Sequence, residues 1–216
     1  VHVATHALSV STAASRDTAL PRKNVGSLCI VFLGRIMPVK NLTVILDVLQ
    51  GLSVNLAFDI YGPKEDVEYW RQCEAKISAL PDNIRVTYHG PVAPENVPAT
   101  LAQYDLFMAP SAYENFGLAI IEAAASGCPV LISERTPWRD LDKVFAGWVC
   151  DLSDLGQFKR VIENCVAMDN AEFERWRRGA REFAAQFISG KRARKELRAL
   201  FASALENTPE GARHLP

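Results

Sequence analysis

Four charged side chains in two short stretches carry the chemistry that this sequence could do: Arg35 and Lys40 in the first, Glu114 and Glu122 in the second. The first stretch reads Gly34-Arg35-Ile36-Met37-Pro38-Val39-Lys40-Asn41. Gly34 permits a tight exit from a strand, and a helix is expected to begin near Asn41. Two cations flanking a helix start, whose free amides and dipole already favour negative charge, make a clamp for a phosphate. The alternative is a pair of solvated basic side chains in a surface loop. The second stretch runs from Pro110-Ser111 through Glu114-Asn115-Phe116-Gly117-Leu118 to Glu122-Ala123. Gly117 is expected in a first helical turn, so that the amides of Phe116, Gly117 and Leu118 face a crevice beside Glu114. Carboxylates accept strong charge-assisted hydrogen bonds, which suits sugar and ribose hydroxyls. Glu122 lies among Leu118, Ala119, Ile120, Ile121 and three alanines, where an acid usually has a partner rather than open water. The bland reading makes Glu114 a partner of the helix dipole and Glu122 a solvated helix residue. Neither GxGxxG nor GxxxxGK[ST] occurs, which removes the main support for a dehydrogenase or a P-loop ATPase.

The elements that must position these residues follow from the pattern of apolar runs. Leu28 to Leu33, Leu56 to Ile60, Ile84 to Tyr88, Leu106 to Ala109, Val130 to Ile132 and Trp148 to Cys150 read as strands. Helical stretches fall between and after them, at Asn41 to Gln50, Glu65 to Ala79, Pro94 to Gln103, Gly117 to Ala125, Leu155 to Met168, Ala171 to Phe187 and Lys191 to Leu205, with Asp154 and Asn170 as caps of the fifth and sixth. Alternation of this kind predicts βαβ units, hence an α/β fold with a doubly wound parallel sheet of the Rossmann-like type. Ligands then sit beyond the carboxyl ends of the strands, where both charged stretches fall.

Of 216 residues, 49% are hydrophobic and 23% charged, which excludes a disordered or low-complexity chain. Lys and Arg number 24 against 25 acids, so no global field recommends nucleic acid as a partner. Cys29, Cys73, Cys128, Cys150 and Cys165 are scattered and form no CxxC pair, and the four histidines show no ligand spacing. Reduced thiols, no structural zinc and a cytoplasmic setting are expected. Residues 1–24 read as an interdomain remnant and polar linker, 25–206 as one ligand-binding domain, and 207–216 as a frayed tail. The start at Val1, without Met, points to a piece of a longer protein.

The order and spacing of Gly34-Arg35, Pro38-x-Lys40-Asn41, Tyr61-Gly62-Pro63, His89-Gly90-Pro91-Val92, Pro110-Ser111, Glu114-x-Phe116-Gly117 and Glu122-Ala123-x-x-x-Gly127-x-Pro129-Val130 resemble glycosyltransferase family 4, a retaining GT-B group, from about residue 27 to 149. The resemblance implies one half of a GT-B fold: the C-terminal, nucleotide-sugar-binding domain of a two-domain hexosyltransferase. It implies that Arg35 and Lys40 hold the donor diphosphate, that Glu114 meets the transferred sugar, that Glu122 takes the ribose hydroxyls, and that the amides of Phe116 to Leu118 lie over sugar and phosphate. Gly34, Gly62, Val92 and Asn115 complete the donor site expected on this basis. The donor would be a UDP- or GDP-hexose, the partner an N-terminal acceptor-binding domain, and the acceptor a glycan or lipid-linked glycan. No Asp-x-Asp stands at a strand end, so nothing in the sequence calls for a metal or other cofactor.

Three readings stay open beside this one. Gly62, Gly90 and their prolines are base-site loops or ordinary turns, and His89 reads as structural. Lys191-Arg192-Ala193-Arg194-Lys195 reads as a solvated basic face, with contact to an inner membrane surface as the alternative. A binding or scaffold module without transfer activity, and a GT-B epimerase, are the competing functions.

Overall fold

The computed structural model describes residues 23–189. The expected linker up to residue 22, the seventh helix with its basic run, and the tail lie outside the described residues. Six strands, β1 (Ser27–Leu33), β2 (Asn55–Tyr61), β3 (Ile84–Gly90), β4 (Leu106–Ala109), β5 (Val130–Ser133) and β6 (Gly147–Cys150), form one sheet in the order β3-β2-β1-β4-β5-β6. All five pairings are parallel. The doubly wound α/β expectation therefore holds, and each predicted strand agrees to within two residues.

Six α-helices cover the sheet: α1 (Leu42–Gln50), α2 (Val67–Ser78), α3 (Val97–Leu101), α4 (Leu118–Ala125), α5 (Leu155–Ala167) and α6 (Asn170–Ser189). Strand side chains alternate between two cores. Leu28, Ile30 and Phe32 pack with Ile45, Leu46 and Phe158 from α1 and α5, whereas Val31, Phe107 and Val130 pack with Ile120, Ile121 and Ala180 from α4 and α6. Burial on both faces explains why β1 and β4 are almost continuously apolar.

Four local expectations need correction. The stretch 94–103 is a 3-10 turn at Pro94–Asn96 followed by the short α3, because Pro98 lacks an N–H and fits only a first helical turn. Asp154 precedes α5 but makes no side-chain capping bond. Asp169, not Asn170, caps α6: its Oδ1 accepts the Glu172 amide at 2.8 Å, while Asn170 Oδ1 accepts the amide of Lys23 at 3.0 Å. Lys23, counted with the linker on composition, is 5% exposed, and its ammonium donates to the carbonyls of Asn24 and Ser27 at 2.6 and 2.5 Å.

Candidate functional site

Strand order reverses between β1 and β4, since the chain leaves β1 for α1 on one face and β4 for α4 on the other. The loops leaving these two strands diverge and open a crevice at that switch point. Two bonds join the loops. The Ala112 amide donates to the Val39 carbonyl at 2.8 Å, and Asn41 Nδ2 donates to the Pro110 carbonyl at 2.9 Å. Asn41 adopts φ 54°, a left-handed conformation that asparagine tolerates better than most residues.

The consequence is a direct ion pair between residues 74 positions apart: Lys40 Nζ donates to Glu114 Oε2 at 2.5 Å, with side chains 22% and 17% exposed. Both line a cavity of about 330 Å³, together with Gly34, Arg35, Asn115, Phe116, Gly117 and Leu118. Eight of the eleven residues expected at the site thus meet in one place. Gly62, Val92 and Glu122 are not among those that line it. Gly62 is buried at φ 136°, where a Cβ would lie 1.8 Å from the Gly34 carbonyl oxygen, so glycine there lets the exits of β1 and β2 pass each other. Val92 packs against the α4 side of the core. Glu122 stands half-buried on α4, one turn into the helix.

The two helix starts differ from expectation. Before α1, Lys40 N–H bonds the Met37 carbonyl and Asn41 N–H the Pro38 carbonyl; in its first turn, Thr43 N–H donates to the Tyr69 hydroxyl at 3.0 Å. Tyr69 thus closes the helix end that, with Arg35 and Lys40, was expected to receive an anion. At α4, Gly117 is the N-cap, at φ 75°, and Ile120 N–H is the first to bond back, to the Gly117 carbonyl at 2.9 Å. The amides of Leu118 and Ala119 find no acceptor among the described residues. Of the two helix starts, that of α4 lines the cavity, with Leu118 and Ala119 beside Arg35 and Lys40. Arg35 lines the cavity but gives its Nη1 to Glu65 Oε1 at 2.9 Å, and both side chains are well exposed.

His89 lies outside the cavity lining and has structural partners. Its ring stacks on Tyr61 at 4.6 Å between centroids, and its Nε2 is 3.3 Å from Asp59 Oδ1. Asp59 also accepts the Tyr104 hydroxyl at 2.7 Å. Burial, reinforced by the bonds with Tyr61 and Asp59, pushes the Tyr104 phenol far above its ordinary value.

Sequence reasoning took Asn41 only as a helix start and gave Glu65 and Tyr69 no part in the site. Asn41 ends the 3-10 turn at Pro38–Lys40, and an Asn that ends a helical turn is a recognisable left-handed position. The partners of Glu65 and Tyr69 become visible only when β1 and β2 are placed side by side.

Sheet order, parallel pairing and a cavity at the switch point define a Rossmann-like α/β domain. Residues 16–183 match the family described as glycosyl transferases group 1, and the chain belongs to that family. A D-inositol 3-phosphate glycosyltransferase of Mycobacterium sp. (strain KMS) is 30% identical over 173 residues, covering 77% of this chain and 37% of that protein. The Anabaena HepE structure in complex with UDP-glucose superposes with a TM-score of 0.68 at 19% identity, over 82% of this chain and 49% of that one. Sucrose-phosphate synthase from Thermosynechococcus elongatus gives 0.66 at 21% identity, over 83% and 46%. These structural likenesses carry the fold alone. The chain spans about a third to a half of the length of these proteins.

Proposed function

We propose that the chain is the nucleotide-sugar-binding half of a retaining hexosyltransferase of glycosyltransferase family 4, and that the cavity between the β1 and β4 loops takes a UDP- or GDP-hexose. The observation that carries this reading is the Lys40–Glu114 pair, which lines one cavity with Arg35 and the open amides of α4. A diphosphate entering the cavity offers Lys40 a stronger partner than one carboxylate. Lys40 then moves to phosphate, and Glu114 is released to accept hydroxyls of the sugar. Arg35 exchanges Glu65 for phosphate in the same way. The Leu118 and Ala119 amides stay fixed and stabilise charge without reorganising.

In the transfer step, the bond between the anomeric carbon and the diphosphate oxygen breaks, and its electron pair stays on the diphosphate. Lys40, Arg35 and the α4 amides stabilise that growing charge without a metal. The acceptor hydroxyl attacks on the face that the diphosphate leaves, and its proton passes to a leaving phosphate oxygen. An N-terminal domain supplies the acceptor site, so this chain alone binds donor without transferring. Calorimetry with UDP, GDP, ADP and their hexose conjugates tests the reading. Saturable heat with a UDP- or GDP-sugar that Lys40→Ala weakens roughly ten- to a hundredfold supports it; silence with every nucleotide refutes it. A ligand at 100 times its Kd should also raise stability by about 2.7 kcal/mol.

A further inference from the structure

We propose that Trp138 is a positioning residue that sets the turn from Glu114 to Leu118 for the donor; the proposal rests on the donor-loop reading above. Trp138 stands on the loop that leaves β5, is 9% exposed and does not line the cavity. Its indole N–H donates to the Phe116 carbonyl at 2.8 Å. That carbonyl belongs to the same peptide group as the Gly117 N–H, so the bond fixes the plane of the peptide from which α4 starts. Gly117 must hold φ 75°, and a rotation of this peptide would re-aim both the Leu118 and Ala119 amides and the Glu114 carboxylate.

The indole is itself braced. Phe116, Phe183 and Phe187 meet it edge-on at 5.7, 5.6 and 4.9 Å between centroids, and Phe187 also touches Phe116 at 5.6 Å. Arg139 locks the loop from beneath, donating to the carbonyls of Trp138 and Glu134 at 2.7 and 2.8 Å and to that of Thr136. The chain of contact therefore runs from the end of α6 through Trp138 to the turn. Trp138→Phe would keep an aromatic ring among these contacts, leave a small void where the second ring stood, and remove the donor, so that the Phe116 carbonyl loses its partner.

The test compares Trp138→Phe with Phe158→Leu, a fully buried α5 residue in the core on the other face of the sheet. Both variants of the 216-residue chain should melt earlier. Only Trp138→Phe should speed amide exchange at Ile120 and Ile121, whose N–H groups bond back to the Gly117 carbonyl. It should also weaken UDP-glucose about tenfold, or about 1.4 kcal/mol. Unchanged exchange in Trp138→Phe, or equal acceleration in both variants, overturns the proposal whatever the binding result. If the parent chain gives no heat with any UDP- or GDP-hexose, the donor reading fails, while exchange still decides whether Trp138 sets the turn. Should Trp138→Phe not fold, Phe187→Leu keeps the indole donor but loosens its ring, and it should accelerate the same two amides.

Discussion

At the scale of single residues, the pairing seen without ligand sets the sign of each substitution. Lys40→Ala removes one charged contact to phosphate and should weaken UDP binding by about 1.5 to 3 kcal/mol, roughly ten- to a hundredfold by calorimetry. Glu114→Gln should do something different. Lys40 would no longer have to leave a carboxylate, so UDP alone should bind as well as or better than to the parent, while the advantage of UDP-hexose over UDP shrinks. Equal loss for both ligands would show that Glu114 does not face the sugar. Arg35→Ala removes a side chain that is 58% exposed and paired with Glu65 at the surface. Such pairs contribute little to folding, so the melting temperature should stay put while UDP affinity falls.

At the scale of elements, two junctions decide whether the site assembles. The first is the start of α4. A Cβ on Gly117 would lie 2.7 Å from Ile120 Cδ1 and 3.2 Å from Glu114 Cγ, at a φ that side chains rarely adopt. Gly117→Ala should therefore cost about 1 to 2 kcal/mol of stability from the left-handed backbone alone, read by urea denaturation, and should displace Glu114 as well. The second junction is Asn41, which links the β1 and β4 loops. Asn41→Gly keeps the left-handed turn and loses the bond to Pro110, whereas Asn41→Ala loses both. Alanine should thus be the more destabilising of the two, and both should weaken UDP binding by letting Lys40 drift from Glu114. Both variants lose the same side-chain bond, so a ranking with glycine worse than alanine would mean that the left-handed backbone does not set the difference.

At the scale of the whole molecule, the amino end of the sheet is held by charge and the rest by apolar burial. Arg177, 1% exposed in its side chain, gives Nη2 to Asp105 Oδ1 at 3.0 Å, and Asp105 Oδ2 accepts the Cys29 amide at 2.9 Å. This triangle ties α6 to β4 and β1. Breaking such a buried pair leaves an uncompensated charge, so Arg177→Ala should destabilise by about 3 to 5 kcal/mol. Four buried thiols add a pH dependence. Burial pushes Cys73 and Cys150 up to about 11, and Cys128 and Cys165 higher still. Above the ordinary thiol range near 9, the unfolded chain loses these protons while the folded one keeps them, so stability falls as pH rises. Lys23 opposes this, since burial lowers its pKa and its cost as an ammonium is relieved in alkali. Cys29, Tyr69, Tyr104 and Lys143 are shifted up as well, so the raised groups outweigh Lys23 and the melting temperature should drop between pH 9 and 11.

Strand count, the parallel α/β class and the two loops that carry the site were legible in the sequence. Each depends on local pattern: continuous apolar runs for strands buried on both faces, helical stretches between them, and a glycine where each loop turns. Only the tertiary structure decided who meets whom. Lys40 reaches Glu114 because β1 and β4 are neighbours at the switch point, 74 residues apart in the chain. Tyr69 closes the end of α1 because α2 packs beside it, and Glu65 holds Arg35 because the β2 exit runs alongside the β1 exit. Such contacts arise from strand order and close packing, which are properties of the assembled sheet, whereas hydrophobic period and turn chemistry belong to each short segment by itself.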